Sequence, residues 1–409
     1  MANTTDYRQC FSTEVKEEDL INARVDEFGV KYSIDNNKLL SASGLNVKSY
    51  EIKKGTRIIC DSAFKDCKTL QSLIIPDSLV AFGEWAFCDC KSISQLAIPD
   101  SVTTISCGAF YGCSSLHRVF IPNSLSRIED LAFYNCTSLW FLPIPRSVEF
   151  IGKGVFTNCP CRIRSESKRF HVINEGLFDF EKKIFLRCFV DITTTEYSLP
   201  DGVESIGDGA FSDLCFLQNI HIPDSVKTIG NDAFYQCTAL YQITVPDTVF
   251  CLGNRAFGVC SSLQKITVPE TLSAMGFGVL SGCSSLLSFK IPKALTKIAF
   301  GSFSDCHNLR ELTMSDSIES IEYGAFQGCW SLEQLFLPDS LKEIGFRAFS
   351  YCSSLKEVII PNSVETIGSK AFYRCDSLAR IIIPKGKMKH FEKMLGDLKN
   401  IIVEQRLES

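Results

Sequence analysis

The chain has 409 residues, which exceeds the usual size of a single compact domain. Its formal net charge is −5, from 42 basic and 47 acidic residues, and this balance argues against a general nucleic-acid binder. The 22% charged and 45% apolar residues exclude a mostly disordered chain, and no apolar run reaches the length of about 18 residues that membrane insertion needs.

The first fifty residues predict a cap that precedes the repeats. Met1–Cys10 has no basic segment followed by an apolar core, so it is not a secretory signal as written. Acidic residues early in the segment 13–26 suit a helix N-terminus, and the apolar positions of Phe28–Leu40 suit a β-hairpin. We predict a helix and hairpin cap over residues 1–52.

The lack of a signal and the many cysteines favour the cytoplasm, with the cell surface as the alternative if an export signal was removed.

A repeat of 23 residues dominates the rest of the chain. The phrase Ile-Pro-x-Ser-Val/Leu recurs in one register, with Lys53 and Ser315 taking the proline slot in two repeats. The prolines of this slot are Pro76, Pro99, Pro122, Pro145, Pro200, Pro223, Pro246, Pro269, Pro292, Pro338, Pro361 and Pro384. A fixed period of this length is the signature of a stacked repeat architecture, here of about fourteen coils.

Two further positions follow the same period. An Ala-Phe pair comes ten and eleven residues after the proline slot in most repeats, as in Ala109-Phe110. A cysteine comes three residues after the Phe, at Cys67, Cys90, Cys113, Cys136, Cys159, Cys237, Cys260, Cys283, Cys306, Cys329, Cys352 and Cys375. We call these twelve residues the cysteine ladder.

One repeat cannot fold alone, because ordering each residue of its backbone costs about 1–2 kcal/mol and its few apolar side chains return too little. Stacking gives each coil apolar neighbours on both sides and makes the core continuous. The pattern Leu-x-x-Ile-x-Ile before the proline predicts a strand, and Val/Leu-x-x-Ile-Gly predicts a second, short strand. Ala-Phe-x-x-Cys predicts a tight helical or 3₁₀ turn. The fold class is therefore a mainly β repeat solenoid.

These motifs resemble the BspA-like leucine-rich repeat family over nearly all of residues 53–384. The resemblance implies a right-handed stack of coils with a concave strand face. It also implies an adhesion or protein-interaction module, since members of the family act in these ways and not as enzymes.

Breaks in the register divide the chain further. The spacing from Pro145 to Pro200 is not a multiple of 23, and the segment from Phe170 to Leu186 predicts a hairpin around a polar Glu-Lys-Lys turn. We predict a first array at 53–159, a hairpin insertion at 160–199 and a second array at 200–386. Met388, Phe391, Leu395 and Leu398 have roughly helical spacing, so residues 387–409 predict a capping helix followed by a short strand at 401–403.

The cysteine ladder is best explained as reduced thiols that fill one column of the core, because free cysteine behaves as a small buried hydrophobe. Zinc and redox pairs are the alternatives, and Cys88-Asp-Cys90 and Cys159-Pro-Cys161 are the close pairs that raise them. Neither pair has the usual spacing of a zinc or thioredoxin motif. We predict no metal site and no cofactor.

The five histidines form no catalytic motif, and neither a nucleophile-elbow nor a phosphate-loop pattern occurs. We therefore predict that the chain is not an enzyme. A catalytic site in the 160–199 insertion is the weaker alternative.

The strand face is the candidate site. The outward strand positions are mostly polar or small, but two places carry apolar side chains that suit a binding surface. The candidate binding residues are Arg118, Phe120, Trp140 and Phe141 near the first break, and Phe336 and Ile359 near the C-terminal end. The insertion or the capping helix covers them in the competing interpretation.

We predict a monomeric scaffold for a protein partner. The alternative is a carbohydrate-binding or adhesion module of a host-associated microbe, in which Trp140 and Phe141 stack on a glycan.

Overall fold

The computed structural model describes residues 12–405, and the predictions for Met1–Cys10 lie outside them. The chain divides into two compact units, Met1–Glu181 and Lys182–Ser409. This boundary falls inside the segment 160–199 that the sequence marks as an insertion.

The described part of the first unit contains a short helix and a series of short strands. They are α1 (Glu17–Ile21), β1 (Arg24–Val25), β2 (Lys31–Tyr32), β3 (Lys38–Ser41), β4 (Ser49–Glu51), β5 (Ile58–Ile59), β6 (Ser72–Ile74), β7 (Ala81–Phe82), β8 (Gln95–Ala97), β9 (Thr104–Ile105), β10 (Arg118–Phe120), β11 (Arg127–Ile128), β12 (Phe141–Ile144), β13 (Phe150–Ile151), β14 (Arg162–Ser165), β15 (Phe170–Ile173) and β16 (Gly176–Asp179).

The second unit continues with strands of the same kind and ends in helical turns. They are β17 (Ile184–Cys188), β18 (Glu196–Ser198), β19 (Ser205–Ile206), β20 (Asn219–His221), β21 (Thr228–Ile229), β22 (Gln242–Thr244), β23 (Cys251–Leu252), β24 (Lys265–Thr267), β25 (Ala274–Met275), β26 (Ser288–Lys290), β27 (Lys297–Ile298), β28 (Glu311–Thr313), β29 (Ser320–Ile321), β30 (Gln334–Leu335), β31 (Glu343–Ile344), β32 (Glu357–Ile359), β33 (Thr366–Ile367), β34 (Arg380–Ile383), α2 (Met388–Leu395), a 3₁₀ helix (Gly396–Ile401) and β35 (Ile402–Glu404).

Each unit is a β-solenoid, as the repeat predicts, and the described residues form about sixteen turns. Strands of successive coils pair in parallel, with partners 23 residues apart, so that Arg118 lies between Gln95 and Phe141. In β10 the two outer residues are exposed and Val119 is buried, because successive side chains of a strand point to opposite faces. The strands before the proline slot thus form one ladder with an outward face, and the short strands form a second ladder.

The turn that holds the cysteine joins consecutive coils through one carbonyl group. The carbonyl oxygen of Phe110 accepts the amide of Cys113 in its own coil at 3.2 Å and the thiol of Cys136 in the next coil at 3.1 Å. The amide of Phe110 donates to Ala132 of that next coil at 2.9 Å. Thiols of the ladder repeat this contact in both units, for example Cys237 to Phe211. The cysteine therefore completes the hydrogen bonding of a buried carbonyl, in addition to filling a core column.

These turns are not continuous helices, although they contain single i+3→i bonds of the 3₁₀ type. The residue before the cysteine slot has positive φ in every described coil with this turn, which interrupts a helix. The residues at this slot are Asp66, Asp89, Gly112, Asn135, Asn158, Asp213, Gln236, Val259, Gly282, Asp305, Gly328, Tyr351 and Arg374. Gly, Asn and Asp adopt this conformation at low cost, and they occupy most of these positions.

Stacked phenylalanines form the core beside the cysteine ladder. Phe87 and Phe110 stack with centroids 5.4 Å apart and planes 5° apart, and Phe234 and Phe257 stack at 5.0 Å and 3°. All four rings are fully buried. This explains why the Ala-Phe pair keeps its register, since Ala leaves room for the ring and each ring packs on the ring of the next coil.

The described part of the N-terminal segment consists of a helix followed by antiparallel strands. β2 pairs with β1 and β3, and β3 joins the short-strand ladder in parallel with β5. The buried Tyr32 hydroxyl lies 2.6 Å from the Tyr50 hydroxyl, which donates to Asp26 at 2.5 Å. This polar chain fastens the cap to the first coil, and burial is the main cause that raises the pKa of both tyrosines.

The insertion differs from the prediction at its start. β14 pairs in parallel with β12, so the first strand ladder continues to Ser165 and does not end at residue 159. β16 and β17 flank the polar Glu-Lys-Lys segment, where the sequence places a hairpin turn. β15 and β16 form a further antiparallel hairpin, whose turn is Asn174-Glu175, both with positive φ. The β15–β16 hairpin lies in the first unit, and β17 lies in the second unit, where it pairs in parallel with β19.

The C-terminal segment contains a helix, a 3₁₀ turn and a short strand. α2 buries Phe391 and Leu395 and packs against β33 and β35. The strand after it is Ile402–Glu404, one residue later than predicted, and it pairs in parallel with β34.

Replacing Val259 by Asn should stabilise the protein. Val259 has φ 58°, a conformation that costs a β-branched residue about 1–2 kcal/mol and that Asn adopts readily. We expect a gain of about 1 kcal/mol, seen as a rise in the melting temperature of about 2–4 °C. The control is Ser261→Asn in the same turn, which should give no such gain. An unchanged or lower melting temperature for Val259→Asn would contradict the interpretation.

Candidate partner-binding surface

The outer positions of β8, β10, β12 and β14 form the strand face of the first unit near its last coils. Along one row the register places Gln95, Arg118, Phe141 and Arg162 side by side. Arg118 and Arg162 are exposed and Phe141 is half-buried. Phe141 therefore lies between two neighbouring strands that each carry an arginine at the same position, with the strands about 4.8 Å apart.

The second row of the same face is apolar. Phe120 pairs with Ala97, and Pro143 occupies the equivalent slot on β12. The Phe120 ring is 46% exposed, and the Arg118 guanidinium lies 4.6 Å from its centroid, within the range of a cation–π contact. The contact orients Arg118 along the face.

Trp140 lies just before β12 and is 59% exposed. Its ring centroid is 5.7 Å from that of Phe141, and the two planes are tilted by 37°. The structure thus brings together Arg118, Phe120, Trp140 and Phe141, which we call the aromatic patch. The insertion does not cover it within the described residues.

Sequence reasoning missed two arginines of this surface. Arg162 and Arg164 are the exposed residues of β14, beside Phe141 and Pro143. The alternation Arg162-Ile163-Arg164 continues the pattern of the preceding strands and could have revealed them. The prediction ended the array at residue 159 because the proline after this strand is missing.

The second candidate surface lies at the end of the second unit. Phe336 is 69% exposed and Ile359 is 47% exposed, so α2 does not cover them. Ile382 pairs with Ile359 and with Val403 of β35, which extends the row. We call Phe336, Ile359, Ile382 and Val403 the C-terminal stripe.

Charge separates the two surfaces. Beside the C-terminal stripe the charged side chains pair with each other, Lys356 with Glu333 at 2.6 Å and Arg380 with Glu357 at 2.5 Å. Arg118 and Arg162 have no ion-pair partner within residues 12–405, and Arg164 has only an exposed contact of 3.6 Å with Glu166. Within residues 12–405 the aromatic patch therefore combines exposed rings with arginines that form at most one exposed ion pair.

The charged residues of the insertion serve its structure. Arg169 donates two hydrogen bonds, at 2.9 and 3.0 Å, to the buried carboxylate of Asp179, and it also contacts Glu181 at 2.9 Å. His171 lies 2.8 Å from the Lys168 carbonyl through Nε2 and packs on Phe180. These contacts stabilise the hairpin.

The cysteines are mostly inaccessible. Among the described cysteines, Cys215 alone is exposed, Cys107 and Cys251 are half-buried, and the others are buried. Burial raises the pKa of Cys375 to about 12 and that of Cys88 to about 11, and it also raises the pKa of Cys113. Thiols with raised pKa values stay protonated near neutral pH and are poor nucleophiles and metal ligands.

Residues 12–405 contain neither a metal-binding cluster nor a membrane-spanning helix. No group of three or more His, Cys, Asp or Glu side chains is arranged to hold a metal ion. No helix in this part of the chain has both the length and the apolar character needed to cross a membrane.

The family model described as "BspA type Leucine rich repeat region" matches the chain in six copies. The matches cover residues 37–162, 182–301 and 276–395, which is most of the chain. They include the first array and α2, and the first match ends at Arg162, where β14 begins.

Solved structures share the fold. A leucine-rich repeat protein from Bacteroides ovatus is 25% identical, with a TM-score of 0.52, and the match covers 94% of this chain and 97% of that chain. A leucine rich cell surface protein from Faecalibacterium prausnitzii is 23% identical, with a TM-score of 0.53 and coverage of 88% and 79%. The pneumococcal vaccine antigen PcpA is 17% identical, with a TM-score of 0.56 and coverage of 91% and 83%. The search of curated proteins found no match.

Alkylation of the native protein should separate the cysteines by burial. Among the described cysteines, we expect iodoacetamide to label Cys215 first and Cys107 and Cys251 more slowly. The hydrogen-bonded ladder thiols should react only after the protein is unfolded under non-reducing conditions, because they are buried. Peptide mass spectrometry at increasing times measures this order. Ladder thiols that label as fast as Cys215, or that stay blocked after unfolding, would contradict it.

Proposed function

Because this chain belongs to the BspA-type leucine-rich repeat family, we propose that it is a non-catalytic scaffold that binds a protein partner through the aromatic patch. The observation that supports this proposal is the cluster of exposed rings and unpaired arginines on the strand face of the first unit.

The backbone of this face is held in place by the parallel ladder, so a partner binds without the cost of ordering a loop. Binding energy in protein interfaces concentrates in a few Trp, Tyr and Arg residues. Trp140 and Arg118 supply two residues of these types on neighbouring coils, and Phe120 and Phe141 supply apolar area between them.

The charge of the patch indicates the chemistry of the partner. Arg118, Arg162 and Arg164 project from two strands on either side of Phe141. A segment that carries carboxylates around an apolar side chain complements this arrangement, and Arg binds carboxylates with paired hydrogen bonds. Opposite charge also speeds the encounter at low salt. We therefore infer an acidic protein segment as the partner.

A glycan on Trp140 and Phe141 is the competing occupant. The two rings are tilted by 37° and do not form one flat platform. Three arginines with few acidic side chains beside them also suit an anion better than a neutral sugar. These features favour the protein partner over the glycan at this surface.

The same proposal treats the protein as a monomer without a cofactor. Its many buried thiols favour a reducing compartment as the place where it works.

Replacing Trp140 by Ala should weaken partner binding by about 2 kcal/mol, or roughly thirtyfold, if Trp140 is a binding hot spot. The melting temperature should stay nearly unchanged, because the ring is 59% exposed. The measurement is recovery of partners from a lysate of the source organism with immobilised protein, followed by titration of the recovered partner. Arg118→Glu should also abolish binding of an acidic partner.

The matched control is Phe336→Ala, which removes an even more exposed ring from the second unit and should leave this binding intact. Partner binding that survives both Trp140→Ala and Arg118→Glu contradicts the proposed surface. Specific binding to a glycan array without any recovered protein contradicts the proposed partner class. A large drop in the melting temperature of Trp140→Ala would show that Trp140 belongs to the core.

A further inference from the structure

A second site lies in the second unit, away from its strand face. The residue directly after the ladder cysteine is small or short in most coils. In four successive coils of the second unit these residues are His307, Trp330, Ser353 and Asp376, so two large rings precede two shorter side chains. His307 and Trp330 stack with centroids 3.8 Å apart and planes 12° apart. One face of the Trp330 ring is therefore covered by the coil before it.

The other face of Trp330 is turned toward the coil of Ser353. Serine does not fill the space that an aromatic ring fills at this slot, and Trp330 remains 51% exposed. The result is a groove of about 280 Å³ lined by Trp330, Tyr351, Ser353, Arg374 and Asp376. We call it the Trp330 slot.

The slot differs from the row of exposed rings that Phe300, Tyr323 and Phe346 form in the same unit. Phe300, Tyr323 and Phe346 stack on one another at 5.0 and 5.3 Å, so their faces are occupied and mainly their edges are exposed. Trp330 has a free face because its next neighbour is a serine.

The dimensions of the slot suit one ring. Trp330 and Asp376 are two coils apart, which corresponds to about 10 Å at the spacing of adjacent strands. A saturated ring that lies about 4 Å above the indole leaves about 6 Å to the coil of Asp376. The remaining distance to the coil of Asp376 accommodates the rest of the ring and a hydrogen bond from the ring to Asp376.

The polar residues define the chemistry of the ligand. Asp376 accepts hydrogen bonds and Arg374 donates them, and their opposite charges favour a ligand without net charge. The negative face of an aromatic ring attracts the positively polarised C–H groups of a saturated ring. Tyr351, which is 43% exposed, adds a further hydroxyl at the wall. A hexopyranose has both features, an apolar C–H face and a rim of hydroxyl groups.

From this geometry we propose that the Trp330 slot binds a neutral hexopyranose residue of a glycan, stacked on Trp330 and hydrogen-bonded by Arg374 and Asp376. The site is independent of the aromatic patch, and its ligand is of a different class. The protein thus carries a sugar site in its second unit in addition to the proposed protein-binding surface of the first.

The test is saturation-transfer NMR on the full chain with four probes. They are the methyl glycosides of glucose, galactose, mannose and N-acetylglucosamine. We expect transfer to the protons on one face of at least one ring. Trp330→Ala should weaken binding at least tenfold, and Ser353→Leu should abolish it by filling the slot. Trp140→Ala is the matched control and should bind as the unchanged chain does.

Melting curves establish that the variants are folded, and Asp376→Asn, an isosteric change at an exposed residue, serves as a third variant that tests the hydrogen bonds alone. No transfer to any of the four glycosides overturns the proposal. Transfer that survives Trp330→Ala and Ser353→Leu, or that Trp140→Ala removes, also overturns it. Binding of N-acetyltyrosinamide in the slot without binding of any glycoside would show a peptide site and would overturn the sugar assignment.

Discussion

The whole architecture depends on the two hydrogen bonds that the carbonyl oxygen of the repeated phenylalanine accepts. In each regular coil it accepts one amide from its own turn and one thiol from the next coil, as Phe234 does from Cys237 and Cys260. Both lone pairs of a buried acceptor are thereby satisfied, which removes a cost of about 1–3 kcal/mol per group. A coil that lacks its successor loses the second donor, so the bond exists only in the stack and links the coils in one register.

Because of this register, the surface side chains occupy positions that repeat regularly from coil to coil. A side chain at a given slot has its neighbours 23 residues before and after it, as Arg118 has Gln95 and Phe141. The core slots tolerate little variation, since rings, thiols and carbonyls fit together there. The outward slots are free to vary, and the aromatic patch and the Trp330 slot both arise from side chains that depart from the usual residues at these slots. A repeat protein can thus acquire separate sites for different ligands without any change in its fold.

The two proposed sites use these repeated surface positions in opposite ways. In the aromatic patch, large side chains on adjacent strands build a raised surface with uncompensated positive charge, which suits a protein segment. In the Trp330 slot, a small residue between large ones leaves a gap with balanced charge, which suits one sugar ring. The difference lies in whether neighbouring coils fill a slot or leave it open. The C-terminal stripe shows a third case, in which neighbouring charges such as Arg380 and Glu357 pair with each other.

The sequence by itself determined the repeat, the strands, the family and the general position of the strand-face candidates, because a period of 23 residues dictates which side chains point inward. It also predicted both caps from their apolar spacing. Only the tertiary structure decided that Phe120 and Trp140 are exposed, that β14 adds Arg162 to the patch and that β15 and β16 form a further hairpin with its turn at Asn174-Glu175. The open face of Trp330 and the thiol bond to the phenylalanine carbonyl also required it. These features depend on contacts between residues one coil apart, and a linear pattern shows which residues recur but not which atoms meet.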